Sequence, residues 1–169
     1  NLAHAALAKW SKSQRVALVT EVEAGSTSSW TGSELLAEVQ RGASVLREAG
    51  VKPGDRVVLL LPLSGEGVIS LLSVAWCGAV AVPVFSGFGV EATALRIQDS
   101  GAVAVVTQTG VTRRGKSIDL LGVATQAISD SGMRSTLLVW NSPDSELPLS
   151  AVSWAHVAAR VEPMVDPFP

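Results

Sequence analysis

The chain has 169 residues, and 47% of them are hydrophobic, which suits one domain, or one part of a larger domain, with a sizeable core. Its formal net charge of -2 gives no overall bias towards nucleic acid or a membrane surface. The single cysteine, Cys77, excludes an intrachain disulfide and a cysteine-cluster metal site, and it fits a reducing cytoplasm. Glycine, proline, serine or charged residues break every apolar stretch before the roughly 18 residues that a membrane span needs.

The first 50 residues predict a helix, two short strands and a second, longer helix. Apolar residues of segment 2–10 share one helical face, residues 15–22 alternate as in a strand, and residues 28–30 supply a short partner strand. Thr31 and Glu34 have the spacing of a capping box, in which a hydroxyl and a carboxylate cap the first turn of a helix. The apolar stripe of this helix is formed by Leu35, Val39, Ala43 and Leu46.

Two uninterrupted apolar runs follow, at residues 57–61 and 79–84, and a third run, at residues 102–107, is apolar up to Thr107. Such runs predict strands that are covered on both faces, as in parallel sheets. Pro83 lies near the end of the second run, and a proline in a sheet is confined to an edge, a strand end or a bulge. Residues 135–140 predict a fourth strand.

Helical segments separate these strands. One begins at the capping residue Ser64, a second covers residues 90–98, and a third covers residues 118–128. After a loop at 141–148, Ser153 begins a last short helix. The inward faces are predicted to carry Val68, Leu71, Leu72, Ala75 and Trp76 in the first helix, Ala94, Leu95 and Ile97 in the second, and Leu120, Leu121, Ala124 and Ile128 in the third. The alternation predicts an α/β fold, a doubly wound, mostly parallel sheet with helices on both faces.

A basic loop at residues 107–117 directly follows the third covered strand. Arg113, Arg114 and Lys116 carry its three positive charges, and no acidic residue lies between Asp99 and Asp119. Arginine offers a planar fork to phosphate oxygens and lysine a compact point charge. Ligands of open α/β sheets bind at the carboxyl ends of the strands, which favours an anion site here. The alternative, a solvated surface loop, stays open.

A second glycine-rich segment, Phe85-Ser-Gly-Phe-Gly, follows the second covered strand. Its two glycines would let a phosphate or a thin ligand arm approach the backbone. A tight turn between a strand and a helix explains the same residues. The segment has neither the G-x-G-x-x-G nor the G-x-x-x-x-G-K-[ST] pattern.

The residue types of the chain give no complete catalytic set. His4 and His156 are the only histidines, and neither has metal-ligand spacing. Cys77 lies among apolar residues, as a small core residue does. No G-x-S-x-G nucleophile motif occurs. From the residues alone, the chain is therefore predicted to be a doubly wound module with one candidate anion-binding loop and with no nucleophile, general base or metal site.

Beyond these patterns, the sequence resembles the N-terminal part of the AMP-forming acyl-CoA synthetases, in the acetyl-CoA synthetase-like branch of the adenylate-forming superfamily. The resemblance covers essentially all 169 residues, and its most specific parts are the FSGF and RRGKSI segments. The matching positions are residues 54–62, 78–79, 85–88, 91–92, 96–97, 99–100 and 113–120. Ser86 departs from the family pattern, because it stands where the family has the first glycine of its Phe-Gly-Gly-Phe turn.

The resemblance implies where coenzyme A would bind. Phe85, Gly87 and Phe88 would lie beside its nucleotide end, and Arg113 and Lys116 would contact its phosphates. Because the loop is one residue longer than the family pattern, Arg114 is an alternative to Arg113. ATP, with Mg²⁺, and CoA would be substrates of the full enzyme, which would be cytoplasmic, and the other partner of residues 1–169 would be the remainder of the same polypeptide. No residue of this chain is implied to be catalytic, and neither nucleic acid nor a membrane span is expected.

Three hypotheses follow. In the first, residues 1–169 form the N-terminal α/β subdomain of the large domain of a short-chain acyl-CoA ligase, and the catalytic residues lie beyond Pro169. In the second, the chain is a non-catalytic module that binds CoA or another phosphorylated nucleotide. In the third, it is a structural lobe whose loop charges only solvate the surface.

Overall fold

The computed structural model describes residues 1–21, 23, 25–142 and 147–169. Its centre is a sheet of five parallel strands in the order β4-β3-β5-β8-β9. These five strands are β3 (Arg56–Leu60), β4 (Val80–Val84), β5 (Ala104–Gln108), β8 (Thr136–Trp140) and β9 (Ala151–Ser153). The helices are α1 (Leu2–Leu7), α2 (Gly32–Glu48), α3 (Gly65–Trp76), α4 (Val90–Ser100), α5 (Leu120–Ser131) and α6 (Trp154–Ala158). The predicted doubly wound α/β fold is confirmed.

Two hydrophobic cores cover the two faces of this sheet. Successive residues of a strand point to opposite faces, so Val57 and Leu59 of β3 belong to one core and Val58 and Leu60 to the other. The first core is closed by α1, α2, α3 and α6, and the second by α4 and α5. Both faces of β3 are therefore dry, which explains why this strand is apolar at every position after Arg56.

The chain changes direction within the sheet at β3. It passes from β3 to β4 on one side and then returns across β3 to build β5, β8 and β9 on the other. In sheets of this order, ligands bind outside the carboxyl ends of the strands at the point of reversal. The segments that follow β3, β4 and β5 meet at this end of the sheet. They include the glycine-rich segment at 85–89, after β4, and the basic segment at 107–117, which begins at the end of β5.

Strand β4 differs from the prediction of a fully covered strand. It is the edge strand, and its residues Val80 and Pro83 are exposed. The Val80 amide donates to the Asp55 carbonyl in the segment preceding β3, so by alternation the nitrogen of Pro83 faces outward. Proline has no N–H there, which removes a donor that another strand would need and protects the edge. Pro83 thus lies where the sequence predicts, at an edge.

The inward face of α3 also differs from the prediction. The buried residues include Ile69 and Val74 together with two serines, whereas Leu71 is exposed. The Ser73 hydroxyl donates to the carbonyl of Ile69 at 2.7 Å, and the Ser70 hydroxyl accepts from the Trp140 indole at 2.9 Å. Serines whose hydroxyls form hydrogen bonds in this way can be buried in the core. The prediction from apolar residues alone therefore assigned the wrong side of α3 to the core. Leu95 of α4 is likewise exposed, against the prediction.

The capping predictions are confirmed. The Thr31 hydroxyl accepts from the Glu34 amide at 3.3 Å, and the Glu34 carboxylate accepts from the Thr31 amide at 2.8 Å. This backbone hydrogen bond lowers the pKa of Glu34 from its ordinary value, with help from the Thr31 hydroxyl. Ser64 and Ser153 cap α3 and α6 as expected.

Strands β1 (Val16–Glu21) and β2 (Thr27–Thr31) form the predicted pair, which is antiparallel. Val22, the last residue of the predicted first strand, and residues 143–146 of the predicted loop at 141–148 lie outside the described residues. The short strand β9 was not predicted, because three residues leave no readable alternation. Within the described residues, no helix combines the length and the apolar composition needed to cross a bilayer.

Candidate functional site at the carboxyl end of the sheet

The basic loop of the sequence is a β-hairpin. Strands β6 (Gly110–Arg113) and β7 (Lys116–Asp119) pair antiparallel, with Arg113 opposite Lys116. The two turn residues, Arg114 and Gly115, both have positive φ, 50° and 72°, as in a type I′ turn. The predicted loop and the predicted helix start at residue 118 are therefore wrong, because residues 116–119 are extended and α5 begins only after its cap, Asp119.

The hairpin carries the three cations of the site to its tip. Arg113, Arg114 and Lys116 are all exposed. Arg113 and Lys116 face each other across the strands, so their side chains lie on the same side of the ribbon. Within the described part of the chain, none of the three forms an ion pair. Their charge is consequently free to attract an anion.

The glycine-rich segment is a tight turn whose aromatic rings touch. The Phe88 amide donates to the Phe85 carbonyl at 2.9 Å, which closes the turn. The two phenyl rings pack edge to face, with centroids 5.8 Å apart and an interplanar angle of 80°. A Cβ at Gly87 would lie 2.5 Å from Cε1 of Phe85. Glycine at position 87 is therefore needed for this placement of the Phe85 ring.

The turn and the hairpin meet through Arg113 and Phe85. The guanidinium carbon of Arg113 lies 4.7 Å from the centroid of the Phe85 ring, within the range of a cation–π interaction. The contact brings together two segments that are 28 residues apart in the sequence (113 − 85). It also holds the otherwise mobile arginine fork beside an aromatic face, which reduces the entropy lost when the fork binds a ligand.

A cavity of about 600 Å³ opens beside this contact. Leu59 and Pro83 of the sheet and Val68 and Leu71 of α3 contribute apolar surface to it. The polar or glycine residues of the lining are Glu23, Gly67, Ser86, Thr112 and Arg113, and its other members are Leu61, Pro62, Leu63, Val84, Phe85 and Val111. This size and this mostly apolar lining with a few polar groups are typical of small-molecule sites.

The predicted site residues divide into two groups. Phe85 and Arg113 line the cavity, and Phe88 packs against Phe85. Arg114 and Lys116 do not line it, since they lie further out at the hairpin tip. Sequence reasoning missed the contributions of Val68 and Leu71, because it had assigned both to the core. Ser70 and Ser73 are buried on the inward face of α3 instead, and these two serines are the only feature of this helix sequence that indicates it.

A further polar pair ties α3 to the end of β8. The Glu66 carboxylate accepts a hydrogen bond of 3.0 Å from the Asn141 side chain, and Asn141 has the unusual φ of 53°. Burial raises the pKa of Glu66, but the hydrogen bonds from Asn141, from its own amide and from Ser64 outweigh burial, so the net pKa is lowered. The carboxylate therefore stays ionised at neutral pH.

Comparison with known proteins supports the sequence resemblance. A family model described as AMP-binding enzyme matches residues 6–165. A 3-hydroxypropionyl-coenzyme A synthetase of Sulfurisphaera tokodaii is 41% identical over 137 residues, which cover 79% of this chain and 21% of that protein. An acetyl-coenzyme A synthetase of Paraburkholderia phymatum is 38% identical over 119 residues, covering 70% of this chain and 18% of that protein. The chain thus spans about a fifth of the length of these relatives.

The fold comparison agrees. A crystal structure of an acyl-CoA synthetase of Brucella canis superposes with a TM-score of 0.84 over 99% of this chain and 29% of that chain. At 24% identity this likeness speaks for the fold alone. The family model, which matches nearly the whole chain, shows that the chain belongs to the AMP-binding enzyme family, as the resemblance to AMP-forming acyl-CoA synthetases predicted.

Proposed function

We propose that residues 1–169 form the N-terminal lobe of an ATP-dependent, AMP-forming acyl-CoA ligase that acts on a short carboxylate. In the complete enzyme, the carboxylate oxygen would attack the α-phosphate of Mg²⁺-bound ATP, giving an acyl adenylate and pyrophosphate. The CoA thiol would then attack the acyl carbon and release AMP. The relatives named above, acetyl- and 3-hydroxypropionyl-coenzyme A synthetases, support the short acyl group.

The contribution of this lobe would be part of the site for the nucleotide end of CoA. Phe85, Gly87 and Phe88 would supply the surface against which the nucleotide packs. Arg113, Arg114 and Lys116 would bind its phosphates. The lobe by itself would be inactive, because the groups that activate ATP would belong to the rest of the polypeptide. A cytoplasmic location is also part of the proposal, and the single, buried Cys77 is compatible with it.

One observation carries this proposal, the cation–π contact between Arg113 and Phe85. It joins the two segments on which the family resemblance rests and places a guanidinium at the mouth of a ligand-sized cavity. Each charge-assisted hydrogen bond from such a cation to phosphate contributes about 1.5–3 kcal/mol. An exposed cluster of three cations that forms no ion pair with any described carboxylate is suited to an anion that carries several charges.

Calorimetric titration tests the CoA site directly. We expect the 169-residue chain to bind CoA more tightly than 3′-dephospho-CoA, and Arg113→Ala to weaken CoA binding roughly tenfold or more. Glu48→Ala, which removes an exposed charge on the distant helix α2, is the matched control and should leave affinity unchanged. Equal binding of both ligands, or full affinity in the Arg113 variant, would remove the basis of the proposal.

The non-catalytic module remains the second candidate, and it is favoured by the same exposed cations. The two candidates differ in the complete polypeptide rather than in this lobe. Carboxylate-dependent exchange of pyrophosphate with ATP should occur with the full-length protein and not with the 169-residue chain. Exchange by the short chain alone would contradict the assignment of an inactive lobe, and no exchange by the full-length protein would favour the binding module.

A further inference from the structure

Ser86 is the one residue of the Phe85–Phe88 turn whose side chain is enclosed. Ser86 is 8% exposed, whereas Phe85 and Phe88 are 52% and 38% exposed. Position 87 has no room for a side chain, because a Cβ there would collide with the Phe85 ring. Within this turn, Ser86 is therefore the residue that brings a polar side chain to the cavity wall beside Arg113.

The hydroxyl of Ser86 is available to a ligand. It forms no hydrogen bond with any described residue, although every fully buried side-chain nitrogen or oxygen among them has a partner. The Ser86 oxygen is therefore not fully buried, and Ser86 belongs to the lining of the cavity. A hydroxyl can both donate and accept a hydrogen bond, whereas the guanidinium of Arg113 can only donate.

The surroundings of Ser86 select the kind of group that it can bind. The cavity wall is mainly apolar, with Leu59, Pro83 and Val84 nearby in the lining. A phosphate would lose most of its hydration there, which is very unfavourable, and it finds better partners at the solvated hairpin tip, where Arg114 and Lys116 lie. The group that reaches Ser86 should consequently be polar and uncharged.

We propose that Ser86 is a further ligand-binding residue of the coenzyme site, whose hydroxyl binds an uncharged polar group of the nucleotide part of CoA. The inference rests on the proposed function, because it takes CoA as the ligand of the cavity. It assigns different tasks to neighbouring residues: Ser86 recognises a neutral group inside the cavity, and the hairpin cations hold the phosphates from Arg113 in the cavity lining outward to Arg114 and Lys116 at the tip. The glycine of the family pattern at this position has no side chain to perform this task.

Two substitutions separate the hydroxyl from the rest of the side chain. Ser86→Ala removes only the hydroxyl, and Ser86→Gly also removes the Cβ. We expect both variants to bind CoA roughly two- to tenfold more weakly than the unaltered chain, the amount that one neutral hydrogen bond contributes. We expect the same factor with 3′-dephospho-CoA, because the contact does not involve the phosphate. Thermal unfolding should confirm that both variants are folded.

Several results would overturn the inference while leaving the proposed function intact. Unchanged CoA affinity in Ser86→Ala would show that the hydroxyl makes no contact. Tighter binding by Ser86→Gly would show that the side chain obstructs the ligand. A loss seen with CoA but not with 3′-dephospho-CoA would place the hydroxyl at the phosphate. If the unaltered chain did not bind CoA at all, the proposed function and this inference would both fall.

Discussion

The central strands of the sheet and its β4 corner use their side chains in different ways. In β3, β5 and β8, nearly every side chain is buried between helices on both faces. In the corner, formed by the Phe85–Phe88 turn and the β6–β7 hairpin, the aromatic rings and cations remain exposed and contact each other. Burial in the centre therefore stabilises the fold, whereas the corner keeps an open cavity and cations that form no ion pair with the described residues.

The largest expected difference between the two regions is in stability. Leu60→Ala at the fully buried end of β3 should lower the free energy of unfolding by about 2–5 kcal/mol, because it leaves a cavity in the core. Leu63→Ala, three residues further on and fully exposed, should change it by less than about 0.5 kcal/mol. Urea denaturation measures both. Similar losses of unfolding free energy in the two variants would contradict the conclusion that burial in the central strands stabilises the fold.

Backbone strain in the corner gives the next effect. Arg114 occupies a left-handed conformation that suits asparagine or glycine in a type I′ turn. Arg114→Asn should therefore stabilise the chain by about 1 kcal/mol while weakening CoA binding, because a cation is lost. Thermal unfolding and calorimetry on the same variant measure the two changes. The neighbouring Arg113→Asn has no such strain to relieve, so it should weaken binding without raising stability.

A smaller effect is expected at Gly87. Gly87→Ala should push the Phe85 ring away from Arg113 and weaken CoA binding roughly two- to fivefold, the range of an exposed cation–π contact. Gly89→Ala is the matched control, since a Cβ at position 89 meets nothing within 4 Å. If both variants kept the original affinity, the placement of the Phe85 ring would have no role in binding.

The smallest effect concerns pH. The folded-state pKa of Glu66 is lowered, so its contribution to stability is present above the ordinary value of 4.5 and is lost as the pH falls through the folded-state value. Glu66→Gln should flatten the dependence of unfolding free energy on pH in this acidic range. The change should stay below about 1 kcal/mol, because the side chain is partly exposed. A steeper dependence in the variant would contradict the direction of this pKa.

The two regions also differ in how far the sequence predicts them. The capping box of α2 and the covered strand β3 follow from local spacing, and both were predicted. The β6–β7 hairpin was not predicted, because Arg114-Gly115 replaces the Asn-Gly or Asp-Gly pair that usually signals such a turn. The Arg113–Phe85 contact depends on the order of strands in the sheet, which no local pattern contains.

The face of α3 is an instructive failure. Leucines at helical spacing suggested that Leu71 is buried, yet the close packing of Gly42 in α2 against Ser73 turns the serine face inward. Leu71 therefore faces outward and lines the cavity. Hydrophobic periodicity does not detect a helix contact built on glycine and hydrogen-bonded serine, so part of the candidate site was invisible in the sequence.

The central claim is that the corner between the Phe85–Phe88 turn and the hairpin binds the nucleotide end of CoA. An NMR titration of the isotope-labelled 169-residue chain with CoA tests it without any substitution. We predict that the amide shift changes concentrate at residues 85–89 and 110–117, with little change in β9 at the opposite edge of the sheet. Shift changes centred on β9, or a spectrum that CoA does not alter, would contradict the claim.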